Sequence, residues 1–95
     1  MRDTLDVHGI VFTEATPHCR ARGLLGFVSC KLGRTLMLDG ITIRKTADGH
    51  LALSFPQHRD RRGRPHPTVR PLDQAAREAI ETQVFDVLRA RGDLP

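Results

Sequence analysis

The chain has 95 residues, 39% of them hydrophobic and 27% charged, with 15 Lys+Arg against 11 Asp+Glu and a net charge of +4. That length makes one domain, 1–95, and it holds no run of about 18 apolar residues, which excludes a membrane-spanning helix. Four Phe with no Trp or Tyr argue against a module that stacks bases on aromatic platforms.

The first residues, Met1-Arg-Asp-Thr-Leu-Asp6, carry acids and lack an apolar stretch. They do not read as a secretory signal, so the expected compartment is cytoplasmic. There Cys19 and Cys30 are expected as free thiols. Residues 5–15 read as a first strand, with Leu5, Val7, Val11 and Ala15 on one face and Ile10 and Phe12 on the other. Apolar residues on both faces predict a largely covered strand. Gly9 weakens it locally and marks a candidate bulge. Residues 16–23, punctuated by Pro17 and Gly23, read as a loop that holds a smaller basic site, Arg20 and Arg22.

Residues 24–32 form the second predicted strand, one-sided toward its end, as in an antiparallel sheet with one wet face. Gly33-Arg34 is a short turn. Residues 35–46 are a third extended segment interrupted at Asp39-Gly40. That pair is either a hairpin turn or a bend within one long strand; the three-residue arms favour the bend. Ala47-Asp48-Gly49 is the stronger hairpin signal. It leads to Leu51-Ala-Leu-Ser-Phe55, where Leu51, Leu53 and Phe55 point one way. Pro56 stops that strand.

A basic loop then runs Gln57-His-Arg-Asp-Arg-Arg-Gly-Arg-Pro-His-Pro-Thr-Val-Arg70. Its five arginines and one acid, Asp60, leave +4, equal to the charge of the whole chain. The rest of the protein is electrically balanced, and the surplus sits in one loop. Asp73 is a predicted N-cap, and Pro71 keeps the chain extended before it. Residues 74–91 have helical spacing, with Ala76, Ile80, Val84, Val87 and Leu88 on one stripe. Gly92 ends the helix, and Arg89 and Arg91 favour the negative end of its dipole. Phe85 falls off the stripe, where it wraps a sheet edge or meets a second copy. The predicted fold is α+β: a four-stranded, mostly antiparallel meander with one C-terminal helix packed on it.

The loop carries the functional expectation. Arg59, Arg61, Arg62, Arg64 and Arg70 present guanidinium forks suited to phosphate. The bland alternative is a solvated charged loop. Four to five such contacts on duplex predict a slope of log K against log salt of roughly −4. Replacing Arg61, Arg62 and Arg64 with Ala is expected to abolish binding without unfolding. Arg77, in the second helical turn, is either a further phosphate contact or a surface residue paired with Asp73 or Glu81.

A metal or catalytic centre is not expected. His8, His18, Cys19, Cys30, His58 and His66 show no CxxC, HxxxH or HExxH spacing. Ser29 and Ser54 lack a nucleophile elbow, Cys30 alternates with the core face, and the acids are scattered. No cofactor is expected either. Phe85, Leu94 and the two-faced first strand point to a homodimer through the sheet, which would cover open edges; ordinary core is the alternative.

The ordered runs Phe27-Val-Ser, Met37-Leu38-Asp39-Gly40-Ile41-Thr-Ile43 and Gly49-His-Leu51-Ala-Leu-Ser-Phe55-Pro56 resemble the stage V sporulation protein G (SpoVG) family. The match continues through the basic loop, Arg70-Pro71-Leu72, and the helix from Asp73 with Arg77 and Ile80. It covers roughly residues 24 to 90. Arg70-Pro71-Leu72 stands where the family has His-Pro-Ile, and Arg62-Gly63 where it has Asp-Gly, so this loop is the more basic. The resemblance implies a small α+β fold, homodimers, and site-specific binding of DNA and RNA through the loop-to-helix region. It also implies a regulatory role in septation and sporulation. A protein-interaction adaptor in cell division, its arginines meeting an acidic partner, is the second expectation.

Overall fold

The computed structural model describes residues 6–94. Leu5 and the other residues of 1–5, with the signal-peptide question they bear on, lie outside the described residues. Four strands, β1 (Val7–Glu14), β2 (Leu24–Leu32), β3 (Leu36–Lys45) and β4 (Leu51–Ser54), form one sheet in the order β1-β2-β3-β4, each pair antiparallel. The helix α2 (Gln74–Arg91) packs on it. The α+β meander expected from the sequence is therefore the observed fold. Two further elements were not anticipated. Residues Pro17–Ala21 form a one-turn helix, α1, instead of a loop. Within the basic stretch, β5 (Gln57–Arg59) and β6 (Pro65–Pro67) pair as a separate antiparallel hairpin.

Bulges set which side chains reach the core. The register of β1 against β2 shifts between His8 and Val11, where Gly9 has φ +58. One extra residue on β1 inverts the alternation. Val7 and Ile10 are consequently both buried, whereas Val11 is 55% exposed. This corrects the expectation that Val7 and Val11 share a face. The shift between Val28 and Cys30 leaves Ser29 opposite Asp39-Gly40, and Gly40 has φ +79. Asp39-Gly40 is thus a bend within β3. Residues 47–49 turn the chain from β3 to β4, with the Thr46 N–H donating to His50 O at 2.7 Å.

The core lies between one sheet face and α2. Ile41, Ile43, Leu88, Val84 and Cys30 are fully enclosed, and each large aliphatic side chain buried there contributes about 1.5–3 kcal/mol. Phe85 and Leu94 are 7% and 6% exposed and belong to this cluster. They are accounted for within one chain and do not require a second copy. Cys30 behaves as a small core residue: burial, then the Asp39 charge, pushes its thiol up. Both cysteines are free. The opposite sheet face is open, with Phe27 46% and Met37 56% exposed.

Side chains of α2 cap backbone groups on both edge strands. At β4, the Leu53 N–H donates to Glu81 Oε2 at 2.9 Å, and Arg77 Nη1 donates to Leu53 O at 2.8 Å. At β1, the Val7 N–H donates to Gln83 Oε1 at 3.2 Å, and Arg91 Nη1 donates to Ile10 O at 2.5 Å. Covering edge groups in this way lessens the tendency of a sheet to recruit another strand. No helix among the described residues is long and apolar enough to cross a membrane.

Candidate nucleic-acid interface

The basic stretch is an ordered β-hairpin. His58 faces His66, and Arg59 faces Pro65. Between them the Gly63 N–H donates to Asp60 O at 2.9 Å and the Asp60 N–H to Arg64 O at 3.0 Å. Gly63 adopts φ +78. A four-residue turn whose last residue is a left-handed glycine is a standard way to close a three-residue hairpin loop. Asp at the first position and Gly at the fourth suit that turn.

Asp60 organises the turn. Its Oδ1 accepts from the Arg62 N–H at 2.8 Å and the Arg64 N–H at 2.9 Å. Its Oδ2 lies 3.2 Å from Arg64 Nε and 2.8 Å from His66 Nε2. These donors, led by the His66 contact and then the Arg64 backbone N–H, hold the Asp60 carboxyl below its usual value of 3.8. The His58 and His66 rings stack across the strands at 5.8 Å, and His58 Nδ1 is 3.1 Å from Thr68 Oγ1. The hairpin is tied to the body where the Thr68 N–H donates to Pro56 O at 3.0 Å.

This geometry sorts the predicted arginines. Arg61 and Arg62 occupy the middle of the turn, at the hairpin tip, and Arg70 lies on the linker to α2; all three are exposed. Among the described residues, no carboxylate comes within 4.0 Å of any of their three guanidinium groups, although the Arg62 backbone N–H is held by Asp60. Arg59 Nη1 donates to Gly63 O at 2.6 Å and so braces the turn, while the residue stays exposed. Arg64 is the arginine that Asp60 partly neutralises, yet its side chain remains 64% exposed.

Arg77 stands apart from this group. Its guanidinium is 2.8 Å from Leu53 O, 3.6 Å from Glu81 Oε2 and 5.5 Å from the Phe55 ring centroid. It clamps the helix to the edge of β4, so the i, i+4 partner Glu81 weighed from the sequence is the one observed. Arg20 in the smaller basic site pairs with Glu14 at 2.5 Å. Arg91, expected only to complement the helix dipole, caps Ile10.

Sequence reasoning missed Asp60 as the residue that shapes the site. The signal was present in Asp60 and Gly63 at turn spacing, hidden by the surrounding charge. Val69 and Leu72 are 39% and 92% exposed, so the surface around Arg70 is partly apolar. Among the described residues, no group of three or more His, Cys, Asp or Glu side chains is placed to hold a metal ion. The site is therefore a projecting cationic ribbon with two uncompensated guanidinium groups at its tip. No protein-family model and no curated protein matches the chain.

Proposed function

We propose that this protein binds nucleic acid, DNA or RNA, through the phosphate backbone, as a regulatory protein of the SpoVG type. The arginine-tipped hairpin is the contact. The observation that carries this is the exposure of Arg61, Arg62 and Arg70 with no described carboxylate within 4.0 Å of their guanidinium groups, on an otherwise balanced chain. Exposed guanidinium groups at this density give phosphate forks their strongest geometry. Arg59 and Arg64 add charge from the strands. Arg77 is left out of the interface because its hydrogen bonds go to β4. The SpoVG resemblance supports the same region as the contact and adds a homodimer, which would roughly double the number of phosphates engaged.

Fluorescence anisotropy with an unrelated duplex, a single strand and an RNA, each across a salt series, tests this. Three to five contacts per chain predict slopes of roughly −3 to −4.5 on duplex, and binding to all three. Binding to none of them, or affinity insensitive to salt, overturns the proposal and favours an acidic protein partner.

A further inference from the structure

A cleft of about 430 Å³ opens over the β2–β3 turn, lined by His8, Lys31, Arg34, Leu36 and Met37 among others. That volume falls in the range that holds a small ligand, ~300–1,000 Å³. Lys31 and Arg34 bring two cations to it, and among the described residues neither has a carboxylate within 4.0 Å. Asp6 lies 4.0 Å from His8 Nε2, and that same nitrogen donates to Gly33 O at 2.6 Å. Leu36 and Met37 are 65% and 56% exposed, an apolar pair beside the charges.

The fold places Lys31 deliberately. Its stem crosses β1 at the bulge, where a Cβ on Gly9 would sit 3.2 Å from Lys31 Cδ. Glycine there meets both that crowding and the φ of +58. β4 runs antiparallel to β3 with Ser54 opposite Thr42, so the chain leaves β4 toward the β2–β3 turn.

We propose that this cleft is a subsite for one unpaired nucleotide, a site separate from the hairpin that rests on the nucleic-acid reading only for its class of ligand. Lys31 and Arg34 take the phosphate, as ammonium and guanidinium do. The polarizable thioether of Met37, which faces Lys31 across the β2–β3 ladder, takes one face of the base. A concave site with room for one nucleotide fits this ligand better than a bilayer, which needs a protruding apolar face. Single-stranded or frayed nucleic acid then gains a contact that a blunt duplex lacks.

The test is an NMR titration of the whole chain with adenosine monophosphate, adenosine, inorganic phosphate and phosphatidylserine vesicles. Adenosine monophosphate is expected to shift the Met37 methyl and the Lys31 and Arg34 amide resonances. Adenosine and phosphate alone should bind about tenfold more weakly. K31Q/R34Q should remove the response, and R61A/R62A should leave it intact. No shift with adenosine monophosphate overturns the proposal, as does an equal response to adenosine, or a response to vesicles alone. A cleft that responds while no oligonucleotide binds the hairpin would sink the hairpin's role and leave the subsite standing.

Discussion

Asp60 shows how one acid in a basic run organises the arginines around it. Its two oxygens meet four donors, so replacing it with Ala frees the Arg62 and Arg64 N–H groups. D60A is expected to abolish amide-exchange protection at Arg64. The melting temperature should change by only a few degrees, because the hairpin is exposed and lies outside the core. The same contacts set a pH dependence. A carboxyl lowered on folding contributes stability that is present above its unfolded value and is lost as pH falls through its folded value. The turn should thus hold as pH drops past 3.8 and release only below that, as the Asp60 carboxyl titrates in a ¹³C NMR series.

Arginine identity alone does not reveal its partner. Arg61 and Arg77 are the same side chain, but Leu53 O and Glu81 lie beside Arg77, and among the described residues no carboxylate lies within 4.0 Å of the Arg61 guanidinium. Gly26 was equally unreadable from sequence. A Cβ there would meet the Phe12 ring and lie 2.6 Å from Thr13 O. G26A should therefore destabilise the protein by more than an ordinary surface change, about 1–3 kcal/mol, measured by urea denaturation.

At the scale of elements, α2 was legible because several independent cues agreed. Asp73 Oδ1 accepts from the Ala76 N–H at 2.8 Å, and Gly92 closes the helix at φ +83. The apolar stripe between them buries Val84 and Leu88 completely. L88A should cost about 2–5 kcal/mol, seen as a fall in melting temperature of roughly 4–8 °C per kcal/mol. The meander was legible for a similar reason, since period-two alternation and glycine turns coincide.

The hairpin was not legible, because neither Pro65 nor Pro67 has an N–H to donate to a ladder, which argues against a strand in sequence. As one strand of a two-stranded ribbon, β6 has a free edge that tolerates them. The helix α1 was missed although Thr16 and Pro17 are a cap and first-turn pair: Thr16 Oγ1 accepts from the Cys19 N–H at 3.3 Å. A one-turn helix leaves no periodicity to read. The face of β1 was misassigned because a bulge shifts alternation by one residue, and sequence marks the glycine but not the shift.

At the scale of the molecule, a balanced scaffold holds its surplus charge away from its core. The radius of gyration is 14.0 Å, against about 12 Å for a compact chain of this length, as expected when a ribbon projects. Every residue from 61 to 70 is exposed, while the core of the sheet and α2 keeps its charged groups at the rim. The location of the charge was visible in the sequence. Its division into tip, brace and clamp was not, because that depends on which carbonyls and carboxylates the fold brings near.

The most direct measurement compares R61A/R62A with R77A for duplex affinity across a salt series, with melting temperature followed in parallel. R61A/R62A should bind at least about tenfold more weakly at matched salt and lose roughly 1.8 from the magnitude of the salt slope, at unchanged stability. R77A should melt earlier, by about 1 kcal/mol of lost stability, and keep its slope. Unchanged binding in R61A/R62A, or a loss of affinity confined to folded R77A, would contradict a ribbon whose tip grips phosphate.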